Sequence, residues 1–174
     1  MDATAPKREQ AAPQDNPMLN TPGPEHDWLT CLIGSWTYHG SCMMGPDMPS
    51  ETFTGRETVR SLGGLWTIAE GEGEMPGGGM AHTIQTLGYD PKSGRYVGSW
   101  VGSMMAHLWC YEGDRDGSTL TLESDGPRFD GNGTARYRDT IEIRSNDHRT
   151  LTSHVLDDQG NWMQIMSAEY HRTQ

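Results

Sequence analysis

The residues whose types invite chemistry cluster in the middle of the chain. In "VGSMMAHLWCYEG", residues 101–113, one parity of an extended segment carries Met105, His107 and Trp109, and the other carries Met104, Leu108 and Cys110. On a strand the first set brings sulfur, imidazole and indole to one surface, and neither set suits water. We read the first set as facing a ligand cavity and the second as facing a covered outer surface. His82 in "MAHTIQTLG" shares parity with Ile84, and His154 in "TLTSHVL" sits between Ser153 and Val155. Glu70 shares parity with Trp66 and Ile68 and continues into Glu72 and Glu74. A carboxylate at the end of an apolar face can act as a base or hold a cation; the alternating glutamates equally suit a strand leaving the core. Trp66 and Trp100, with Trp36, Trp109 and Trp162, supply the flat aromatic walls common in small-molecule sites. The candidate binding set is therefore Trp66, Glu70, His82, Trp100, Met105, His107, Trp109 and His154. It implies a small, mostly apolar ligand. Two alternatives use the same residues: an enzyme with a His or Glu of the lumen as acid–base group, and a haem protein with an axial histidine in an apolar slot.

Other chemistries lack their residues. His39 with Cys42, and His107 with Cys110, are three apart on extended chain and leave opposite faces, so neither pair is expected to share a metal. No metal centre and no resident cofactor is expected. No serine stands in a nucleophile-elbow context, and "PGGGM" at 76–80 lacks the lysine and the following helix of a phosphate loop. The formal charge of −11 opposes binding to nucleic acid or to anionic membrane surfaces. No apolar run approaches the length of a membrane span, and "MDATAPKREQAAPQDNPMLN" contains no apolar signal core. Three cysteines without CxxC spacing read as free thiols. These points together predict a cytoplasmic protein.

The elements that must position these residues are mostly strands. Residues 1–23 are poor in large apolar groups and read as a mobile tail ahead of one domain over 24–174. "PEHDWLTCLIGSW" opens on Pro24, places Glu25 and Asp27 in its first turn, and reaches Gly34, which predicts a short helix. The period then becomes two. Strands are predicted near 35–44, 52–60, 64–73, 80–89, 95–103, 104–112, 118–124, 134–143, 149–157 and 161–171. Turns at "DPKSG", "GDRDG", "SNDHR" and "DDQG" separate several of them. About ten sequential strands with short links predict a mainly β fold: an antiparallel up-and-down barrel, closed or nearly so because closure removes the edges, with the short helix plugging one end. On "ARYRDT" the charges Arg136 and Arg138 share a face, and Asp139 takes the other.

"LIGSW" at 32–36, a short helix leading into a Gly-x-Trp strand, resembles the opening of the calycin barrels: lipocalins, fatty-acid-binding proteins and nitrobindin-like proteins. The blocks "GSWTYHG", "GGLWTIAEGEGEMPGGG", "TLGYDPKSGRYVGSWVGSMMAHLWCYEG", "LTLESDGP" and "HRTLTSH" are together similar to the bacterial DUF1579 family, of uncharacterised function. The resemblance implies a calycin-like barrel in which Trp36 packs at the closed end under a late basic side chain, here Arg172 of "SAEYHR". The nitrobindin likeness is what keeps haem among the alternatives. The two apolar parities of 104–112 predict a homodimer, whose partner subunit would cover the outer one.

Overall fold

The structure is a computed structural model, and it describes residues 19–43, 45, 48–75 and 77–173. Most of the tail assigned to residues 1–23 lies outside the described residues. The chain enters through α1 (Pro24–Trp28), continues as a 3-10 turn over Leu29–Leu32, and then forms ten strands. These are β1 (Gly34–Met43), β2 (Ser50–Leu62), β3 (Trp66–Glu74), β4 (Met80–Asp90), β5 (Arg95–Gly102), β6 (Trp109–Asp116), β7 (Thr119–Pro127), β8 (Thr134–Ser145), β9 (His148–Leu156) and β10 (Trp162–Arg172). Each strand pairs antiparallel with the next, and β10 closes onto β1. The barrel and its single short helix are as the period-two pattern predicts.

Glycines with positive φ make the tight turns at the helix end of the barrel, at Gly63, Gly64, Gly94 and Gly117. The longer links, 44–49, 75–79, 103–108, 128–133 and 157–161, all lie at the other end and form a mouth. α1 docks by two hydrogen bonds, His26 Nε2–H to the Tyr89 carbonyl at 3.1 Å and the Tyr96 hydroxyl to the Glu25 carbonyl at 3.1 Å, while the Gly23 N–H caps the helix on His26 Nδ1 at 3.1 Å. Leu29, Leu32, Leu87, Tyr96, Leu120, Leu122 and Ile141 are buried around this end and fill it.

One strand differs from expectation. The segment 104–112 is not continuous β: Gly102 ends β5, residues 103–108 form a link at the mouth, and β6 starts at Trp109. Parity therefore does not apply to Met104, Met105, His107 and Leu108. The two-faced strand that motivated a homodimer does not exist.

Candidate functional site

The floor of the lumen is built on Trp36, which is 1% exposed. Its indole N–H donates to the Leu32 carbonyl at 2.9 Å. The Arg172 guanidinium lies 4.2 Å above its ring and donates to the carbonyls of Ile33, Cys31 and Asn146. A second guanidinium, from Arg149, stands 4.9 Å from the Trp36 ring and 4.1 Å over Tyr170, and pairs with Glu57. The register explains the assembly: Trp36 lies opposite Glu57 on β2 and Arg172 on β10, and Tyr170 lies opposite Arg149 on β9. At the floor the Glu57 carboxylate and the Arg149 guanidinium neutralise each other, as a low-dielectric interior requires, though Arg149 Nε has no hydrogen-bond partner.

Above the floor lies a polar cluster on β6 to β9. Tyr111 donates its hydroxyl to Asp139 Oδ2 at 2.6 Å, and the Ser153 hydroxyl also bonds that carboxyl. Asp139 is densely surrounded by protein but keeps some accessible surface on its inward face. Burial pushes its carboxyl above the usual aspartate range, against Ser153, Tyr111 and nearby His154, which pull it down. Burial, and then the Asp139 charge, drives the Tyr111 phenol well up. Ser124, opposite Tyr137 on β8, is 6% exposed, and its hydroxyl oxygen is buried without a partner. Tyr38 and Tyr170 face each other across β1 and β10 with ring centroids 5.0 Å apart.

The rings lie along the wall rather than across the lumen, because glycines give them room. A Cβ at Gly55 or Gly73 would come within 2.3 Å or 2.6 Å of the Tyr38 ring and hydroxyl. One at Gly126 would come within 2.3 Å of Trp109. Inward-facing Tyr38, Phe53, Trp100, Trp109 and Leu151 consequently remain only half-buried.

At the mouth, Trp100 and Trp109 are direct cross-strand partners. The 103–108 link folds back over them. The Trp109 indole N–H donates to Met105 Sδ at 3.2 Å, and the His107 ring stands edge-on to Trp109 at 4.9 Å. His107 Nε2–H donates to the Asp125 carbonyl at 3.1 Å. Met104 lies beside Trp100 over Gly102, on the lumen side of the wall rather than outside it.

The eight residues predicted to line the cavity are thus distributed differently. Trp100 and Trp109 face the lumen, and Met105 and His107 join them from the mouth link. Trp66, Glu70, His82 and His154 face outward. Trp66 packs over Gly88 on the outer wall, and Glu70 and His82 line a shallow outer groove with Arg56 and Ile84. His154 lies opposite Arg138 on β8 and Gln164 on β10, on the outside. Of the predicted histidines, only His107 stands near the lumen, edge-on to Trp109 at the mouth. Among the described residues the inward-facing carboxylates include Glu57, held by Arg149, Asp139 in the middle of the barrel, and Glu51 opposite Cys42 near the mouth, none of which was among the predicted site residues. Parity could have found Asp139: it shares a face with Tyr137 and Ile141, both buried.

No helix of the described residues is long and apolar enough to cross a membrane. No curated protein matches the chain. Among solved structures the fold is similar to Rv2717c from M. tuberculosis, with a TM-score of 0.59 at 12% identity over 88% of this chain and 100% of that one. It is similar also to the S-type phycobiliprotein lyase CPES from Guillardia theta, with a TM-score of 0.53 at 13% identity over 85% and 92%. These likenesses concern the fold alone. The family model for "Protein of unknown function (DUF1579)" matches residues 21–172, and the chain belongs to that family.

Proposed function

We propose that this barrel binds a small, mostly apolar molecule in its lumen. The observation that carries the reading is the set of inward-facing side chains, Tyr38, Trp100, Trp109, Leu151 and Asp139, that stay half-buried in a closed barrel. A lumen filled by its own side chains would bury them, as it buries Leu120 and Leu122 at the floor. Apolar walls with few polar groups are what small-molecule sites commonly offer. The mouth link, with Met104 and Met105 on the two tryptophans, supplies a soft, adaptable rim. Native mass spectrometry of the purified protein should show a retained small molecule. The neutral dye N-phenylnaphthylamine should brighten on entering the wild type, and Leu151→Trp, which fills the lumen, should abolish that signal. A wild type that retains no ligand and leaves the dye dark overturns the reading.

The same reading places the protein in a bacterial cytoplasm as a homodimer. Three free cysteines support a reducing compartment. Burial pushes the Cys31 thiol up to about 11, which keeps it unreactive. For the dimer the support moves from 104–112 to the outer wall near the mouth. There Ile84 and Val101 are direct cross-strand partners, 46% and 39% exposed, with Met80 beside them at 50%. Sedimentation should show a dimer that Val101→Glu converts to a folded monomer; a monomeric wild type rejects it.

A further inference from the structure

Of the inward-facing charges in the middle and floor of the barrel, Glu57 on β2 and Arg149 on β9 pair with each other. The other guanidiniums at this end are also occupied: Arg172 on backbone carbonyls, and Arg115 on the Tyr96 hydroxyl and the Gly117 carbonyl. Asp139 has hydrogen-bond donors, Tyr111 and Ser153, but no counter-cation inside the barrel. Its cross-strand neighbours are Leu122 on β7 and Ser153 on β9. The titratable and charged groups around it are Tyr111 on β6, Tyr170 on β10, and Arg149 and His154 on β9, with Glu57 beyond Tyr170. The unpartnered Ser124 hydroxyl, opposite Tyr137, is sealed from the lumen and takes no part. Tyrosine and tryptophan faces line the way in from the mouth, and such faces attract cations.

From this geometry we infer that the head group of the lumen ligand is an organic ammonium: a protonated amine on an apolar body, an N–H group donating to Asp139 and its alkyl or aryl part lying against Tyr38, Trp100 and Trp109. This rests on the small-molecule reading above and names the ligand class for it. The ammonium supplies the charge that the protein leaves out. A neutral alcohol offers one donor and no charge. A carboxylate would face Asp139 with like charge. Burial raises the proton affinity of the carboxyl, and an ammonium beside it favours the ionised form, so binding of the cation is linked to loss of the Asp139 proton.

The probes are hexylammonium and hexanol, which share a body and differ in the head, titrated by displacement of N-phenylnaphthylamine. At pH 8 hexylammonium should bind at least about tenfold more tightly than hexanol, the ratio that one charge-assisted contact supplies. Its affinity should fall as pH is lowered through the titration of Asp139, while that of hexanol stays flat. Asp139→Asn should cost hexylammonium about tenfold or more and leave hexanol within about twofold. Equal binding of the two probes, or a pH-independent hexylammonium affinity in the wild type, overturns the inference whether or not Asp139→Asn folds. If the dye enters and both probes fail to displace it, the ammonium class is wrong and the binding barrel stands. If the dye does not enter either, the small-molecule reading fails with it.

Discussion

The two polar constellations inside this barrel obey different rules. At the floor, Glu57 and Arg149 meet side by side, and Arg149 and Arg172 bracket Trp36 under a cap of α1. Halfway to the mouth, Asp139 has two hydroxyl donors and no cation. Pairing of charge on the floor is what keeps a fold: breaking one partner there strands the other in low dielectric. Incomplete pairing in the middle costs stability and leaves capacity for something that is not part of the chain. A single lumen therefore has a structural half and a receptive half, and the boundary runs between Tyr170, which carries Arg149 on its face, and Tyr111, which serves Asp139.

Substitutions should separate the halves by size of effect. Trp36→Ala should cost about 3–5 kcal/mol in urea unfolding, since it removes a fully buried aromatic on which both guanidiniums rest. Arg149→Met should cost about 3 kcal/mol or more by leaving Glu57 unpaired, and Glu57→Gln added to it should recover much of that loss. If the double variant is no better than the single one, the pair is not what organises the floor. Arg172→Ala should cost less, about 0.5–2 kcal/mol, because the side chain is partly exposed and Arg149 still covers the indole.

In the receptive half the signs change. The folded-state pKa of Asp139 is raised, so the folded protein holds this proton more tightly than the unfolded chain does. Its contribution is fully present below the unfolded aspartate pKa and is lost as pH rises through the folded value. Asp139→Asn should thus be neutral or stabilising at pH 8, and the wild-type-minus-variant difference should shrink as pH falls. Paired urea titrations between pH 4 and 8 check this; a variant less stable at pH 8 than at pH 5, relative to wild type, would assign Asp139 to the structural half. The smallest effect belongs to the mouth: His107→Ala should change stability by about 0.5 kcal/mol or less, as exposed links usually do, while altering the rate of dye release in stopped-flow.

What could be read from the residues alone followed from local rules. Alternation of apolar and polar positions, with Gly, Asp and Asn at the breaks, placed all ten strands, most bounds falling within two residues of those observed. Closure followed because a long meander must hide its edges, and the short helix from Pro24 and its first-turn acids. The packing of Trp36 under Arg172 came from family likeness, and the structure places them in contact. The residues 103–108 misled because two apolar parities look the same whether a partner or a folded-back mouth link covers them; only the contacts of Met104 and Met105 with the tryptophans distinguish the cases. Single-strand parity also cannot tell inside from outside when both faces carry apolar groups, which is why Trp66, His82 and His154 were placed in the lumen. The register of closure decides that, since each strand's inner face is set by its neighbours around the ring. Tertiary structure alone joined Tyr111 to Asp139 across 28 residues and Glu57 to Arg149 across 92. No local pattern carries such pairings, because they exist only where a closed sheet brings distant strands around one axis and a low dielectric makes an unpaired charge expensive.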